Sequence, residues 1–206
     1  TDPDAPITHA IDAIAIAHTI SSDFTIAGVT NSHEPSPSAQ TIQDDALARK
    51  AAHGLTIAFN QITYDLHQLT AFPGRLNQLK LPIHPIAAAC FPSTRLLSLI
   101  RTGRIPGATL PDTLAATLDR WSSLPDQGQT DRATLTALLI VLARHAGHAG
   151  VLIANTPDPA TLASILDRAD QLNTQHPTLD TLWSAWHNLT NPPPTPLRKP
   201  AGPRPN

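Results

Sequence analysis

The sequence predicts an all-α fold: an irregular bundle of six to eight helices, then a disordered proline-rich C-terminal tail. Three observations predict it. Apolar residues recur at helical spacing through nearly every long segment. Ser, Thr or Asp opens most of those segments, and Gly or Pro closes them. Ala and Leu number 30 and 26 of 206 residues, and both favour helix.

The first helix is expected from about Pro6 to Gly28, with Asp4 as cap and Pro6 in the first turn. Ile7, Ala10, Ile11 and Ile14 share its apolar face. The Pro- and Ser-rich stretch from Asn31 to Pro37 is a loop. The longest helix follows, from Ser38 to about Ala71, with Ile42, Ala46, Leu55, Ile62, Leu66 and Leu69 in its stripe. Gly54 inside it costs about 1 kcal/mol relative to Ala and suggests close packing. Pro73-Gly74 ends it, and Pro82 and Pro85 keep residues 75–85 irregular.

A short helix is expected from Pro85 to Phe91, and another from Ser93 to Thr102. The next starts at Pro111-Asp112 and reaches Leu124. A central helix capped by Thr130 runs from Asp131 to about Asn155. Arg144, His145 and His148 within it argue against a membrane span. Asp158-Pro159 opens a helix to Leu172, and Thr178 caps the last one, to about Leu189. The domain is read as residues 1–190, with a possible division near 73–85. Residues 191–206 hold 7 of the 21 prolines and make the tail.

Composition narrows the function. Charge is nearly balanced, at net −2, which argues against a generally basic nucleic-acid coat. Arg outnumbers Lys 11 to 3, a codon signature of a GC-rich bacterial genome. The single cysteine, Cys90, excludes an internal disulfide framework and a Cys-cluster zinc site. No signal peptide is read, so the expected location is cytoplasmic. Asp outnumbers Glu 15 to 1, and with Glu34 alone no Glu-x-x-His di-metal site can be assembled.

Ten histidines invite a metal reading. His145 and His148 lie three apart, a spacing that places two imidazoles on one ion, but no carboxylate adjoins them. His53 and His67, fourteen apart, would be about 21 Å apart on a helix and cannot share an ion. Cys90 in its apolar surroundings reads as a buried, inert thiol. No nucleophile elbow, phosphate loop, dinucleotide fingerprint or zinc-protease motif is present. No metal and no cofactor is expected, and the balance leans away from an enzyme.

The segment from Pro85 to Gly107 ends in LLSLIRTGRIPG. It resembles the recognition-helix end of excisionase-type winged helix-turn-helix domains over about 23 residues, though Pro92 occupies the turn. The resemblance implies nucleic-acid contact through Arg95, Arg101 and Arg104.

The leading expectation is a non-enzymatic helical interaction protein, an accessory or structural subunit. It would bind a protein partner or a second copy through the long helices of its first half, away from membranes. One alternative is a DNA-associated accessory protein using residues 85–107. Another is an enzyme or small-molecule binder with a pocket between helices.

Overall fold

The structure, a computed structural model, describes residues 10–31, 34 and 36–191. The expected proline-rich tail lies outside the described residues apart from Asn191. The all-α expectation is corrected: the chain is a mixed α/β fold built on a four-stranded parallel sheet.

The order is α1 (Ala10–Ile20), β1 (Ile26–Thr30), α2 (Pro37–Ala52), β2 (Leu55–Asn60), α3 (Leu66–Gln78) and β3 (His84–Cys90). Then come α4 (Thr94–Arg101), α5 (Asp112–Ser122), α6 (Gln129–His145), β4 (Gly150–Ala154), α7 (Pro159–Gln175) and α8 (Leu179–Thr190). The strands lie in sequence order, β1-β2-β3-β4, and every neighbouring pair is parallel.

Each strand was hidden inside an expected helix or loop. The end of the first expected helix is β1. The expected helix from 38 to 71 is three elements, α2, β2 and the start of α3. Gly54 makes the break: its φ of +108° turns α2 into β2, and the backbone N–H of His53 closes the helix onto the Arg49 carbonyl at 3.2 Å. The expected short helix at 85–91 is β3, and the tail of the expected central helix is β4. Gly147, at φ +91°, separates α6 from β4.

Helix starts follow the capping residues. Ser36, Asp65, Ser93, Asp158 and Thr178 each accept a hydrogen bond from a first-turn backbone N–H. Pro73 does not end α3 but sits inside it. A proline there has no N–H to give the carbonyl four residues back, that of Leu69. His148 supplies the missing donor, with Nε2 2.8 Å from the Leu69 oxygen.

The strand order always steps the same way. With the right-handed crossovers that parallel units adopt, this places α2, α3 and α6 on one face of the sheet. The core fills that side. One cluster joins Ile26, Leu55 and Ala58 of the sheet to Ile14, Leu47, Phe72 and Leu76 of α1, α2 and α3. The larger one sets Ala87 and Ala89 of β3 against Leu135, Leu138 and Leu142 of α6. There α7 packs along α6, and α8 packs on α6 and α5. Arg132, only 3% exposed, ties this cluster together. Its guanidinium donates to the carbonyls of Gln127, Pro92 and Leu118 and to the Ser122 hydroxyl.

Candidate functional site

The second face of the sheet carries the feature that the fold does not explain by itself. Side chains alternate between faces along a strand, so the pairing register assigns Ala27, Val29, Ile57, Phe59, Ile86, Ala88 and Leu152 to one face. The opposite set, Ala58, Ala87 and Ala89, is buried under the helices. Val29 is 59% exposed and Leu152 45% exposed. Ile57, Phe59 and Ile86 between them are half-buried, and Ala88 toward the carboxyl end is buried, so the exposure lies on the two edge strands. Across Ile26–Thr30, Leu55–Asn60, His84–Cys90 and Gly150–Ala154 no residue is acidic, lysine or arginine. His84, at the amino end of β3, is the only titratable group there besides the Cys90 thiol.

An exposed apolar face is out of place on this kind of sheet. Parallel sheets are covered on both sides in ordinary α/β folds, and large exposed apolar patches mark interaction sites. Sequence reasoning missed this face because it placed these residues in helices. The available signal was the β-branched and aromatic content of Leu55–Asn60 directly after Gly54.

The carboxyl end of a parallel sheet is the usual place for ligand contacts, and here its polar groups hold the loops. The Gln61 side-chain amide donates to the Pro106 carbonyl at 2.8 Å. Thr63 and Thr109 hydroxyls lie 2.6 Å apart, and both reach the side-chain Oε1 of Gln68. Asn155, at φ +62°, donates to the Phe91 carbonyl and the Ser93 hydroxyl at 2.7 and 2.8 Å. The Tyr64 hydroxyl donates to the Cys90 carbonyl at 2.9 Å. The Asn31 amide donates to Glu34 at 2.7 Å. The Gln61, Thr63–Thr109 and Asn155 bonds fasten one βα loop to the next, while the Asn31–Glu34 bond closes the β1–α2 loop on itself.

Arg95, Arg101 and Arg104 are exposed, on α4 and in the turn after it. Arg101 is held by Asp119 of α5, with both carboxylate oxygens at 2.9 Å. The helix-turn-helix-like geometry expected at 85–107 is absent: β3 stands where the first helix would be, and α5 follows the Gly107 turn. His145 and His148 are not brought together. His145 pairs with Asn173 of α7 at 2.9 Å, while His148 is buried against α3. Among the described residues, no group of three His, Cys, Asp or Glu side chains is placed to hold a metal ion.

Cys90 is buried at the carboxyl end of β3, and burial pushes its thiol up to about 11. A thiol held protonated is a poor nucleophile. An aromatic cleft of about 210 Å³ lies between α3 and α8, lined by Trp183, Trp186, His67 and His187. Its rings pack on one another, His67 on Trp183 at 4.6 Å between centroids. No helix among the described residues is long and apolar enough to cross a membrane. No protein-family model matches this chain, and no curated protein matches it in sequence.

Proposed function

We propose that this chain is a protein–protein assembly module that docks through the partly exposed face of its parallel sheet. The observation that supports this reading is the apolar face formed by Val29, Ile57, Phe59, Ile86 and Leu152, exposed on its two edge strands and half-buried between them. The interaction reading of the sequence is kept, but its surface changes. Of the stripe expected along residues 38–71, Leu55, Leu66 and Leu69 are buried, Ala46 and Ile62 are half-buried, and Ile42 is 65% exposed, so no continuous helical stripe is left for a partner.

Burying apolar surface contributes about 25 cal/mol per Å². Val29, Phe59, Ile86 and Leu152 together therefore offer several kcal/mol to an occupant, before the costs of association are subtracted. The test is the paired change Val29→Ser and Leu152→Ser, followed by apolar-dye uptake and molar mass in solution. Both side chains are exposed in the single chain, so the fold should persist by circular dichroism. The expected result is reduced dye uptake, reduced association, or both. A folded variant that matches the unsubstituted protein in dye uptake and in mass refutes the reading.

A further inference from the structure

We propose that the occupant of the open sheet face is a second copy of this chain, and that two copies close an eight-stranded parallel β/α barrel about a two-fold axis. The proposal rests on the docking reading above and names its partner.

Strand number is the first argument. Four parallel strands in sequence order, with α2, α3 and α6 on one face, form half of a closed β/α barrel. Eight strands give an interior that side chains just fill, and two copies supply eight. The partly exposed face would become that interior. It has the composition an interior needs, with Val29, Ile57, Phe59, Ile86 and Leu152 interspersed among Ala27, Ala88 and Gly150.

The sheet edges are the second argument. β1 and β4 are the two edge strands, and each is five residues long. A two-fold axis sets β4 of one copy beside β1 of the other, both running the same way, and does so twice. Neither edge strand contains Pro, Lys, Arg, Asp or Glu, the residues that usually protect an edge from pairing. The Lys50 ammonium, 3.3 Å from the Val29 carbonyl, is a side-chain contact that a backbone donor from β4 would replace.

Size decides between barrel closure and simple stacking of two sheets. Four strands spaced about 4.8 Å apart, five residues long at about 3.3 Å each, give a footprint of roughly 320 Å². A stable interface buries roughly 800 Å² on each side. Face-to-face stacking leaves both edges open and falls short. Closure adds two backbone seams and the helices that flank them.

The experiment is light scattering coupled to size exclusion on the full chain over a dilution series, with Leu152→Arg as the variant and apolar-dye uptake measured in parallel. The proposal expects twice the chain mass of 21.9 kDa for the unsubstituted protein. It expects the single-chain mass for a folded Leu152→Arg. A dimer indifferent to Leu152→Arg overturns it, because association then uses another surface. An unsubstituted monomer whose dye uptake is lost in Leu152→Arg overturns the second copy as occupant but leaves the docking reading standing. A monomer whose dye uptake ignores the substitution overturns both.

Discussion

Replacing His148 tests how the proline inside α3 is accommodated. Pro73 leaves the Leu69 carbonyl without its helical donor, and His148 Nε2 takes that place at 2.8 Å. A carbonyl only accepts, so Nε2 carries the hydrogen. Its Nδ1 is buried with no hydrogen-bond partner. In His148→Ala the Leu69 oxygen stays buried and unpaired, which costs about 1–3 kcal/mol. The lost packing against Phe72, whose ring centroid lies 6.1 Å away, adds to this. A total of about 2–4 kcal/mol lowers Tm by roughly 10 °C in a domain of this size. His148→Gln keeps an N–H donor on a side chain of similar reach and should recover part of the loss.

The same contact sets a pH dependence. Burial holds the His148 pKa below its ordinary 6.5, so the unfolded chain takes the proton first. This part of the stability is fully present above pH 6.5, falls as pH drops below it, and levels off below the folded-state pKa. At one pH unit below the ordinary value the loss is at most about 1.4 kcal/mol. The assay is urea unfolding followed by tryptophan fluorescence at several pH values, comparing the unsubstituted protein with the Ala and Gln variants. The advantage of His over Gln should shrink as the solution is acidified. A Gln variant as unstable as Ala, or a His-to-Gln difference that does not move with pH, would refute the reasoning.

Two further predictions concern groups that the sequence left without a role. Arg132→Met removes four donor contacts that join the β3–α4 connection, α5 and the α5–α6 loop. It should cost about 3–5 kcal/mol, as for other broken buried polar networks, measured from the urea midpoint; a loss below about 1 kcal/mol would contradict the bonding described. Cys90, with its thiol pushed up to about 11, should resist an aromatic disulfide reagent at mild pH in the native protein and react once urea unfolds it. Rapid native labelling would show that β3 opens or that the thiol is exposed.

The starts of several helices were legible in the sequence because a cap is a local event. Ser93, Asp158 and Thr178 were each read as a helix start, and each accepts a first-turn N–H. The apolar residues of α6 were also legible, since Leu135, Leu138, Leu139 and Leu142 repeat within one element and all are buried. The strands were not. In β3 the run of three alanines carries helix propensity, yet pairing with β2 and β4 overrides it. In β4 the apolar residues continue the period of α6 so closely that only Gly147 marks the boundary. A short apolar run reads the same as a buried helix segment when period is the only guide.

The sequence by itself determined where several helices begin, at Ser93, Asp158 and Thr178, and that the Leu135–Leu142 stripe avoids water. Tertiary structure alone decided that four apolar runs are strands, that they lie side by side in chain order, and that one face of the sheet is left exposed at its two edge strands. The physical reason is range. A helix closes its hydrogen bonds within four residues, so local spacing and caps announce it. A parallel strand takes its partners from another part of the chain, as Ile26 does from Leu55 and Ile86 does from Gly150. Nothing in the run itself records which strand will lie beside it or which of its faces the helices will cover.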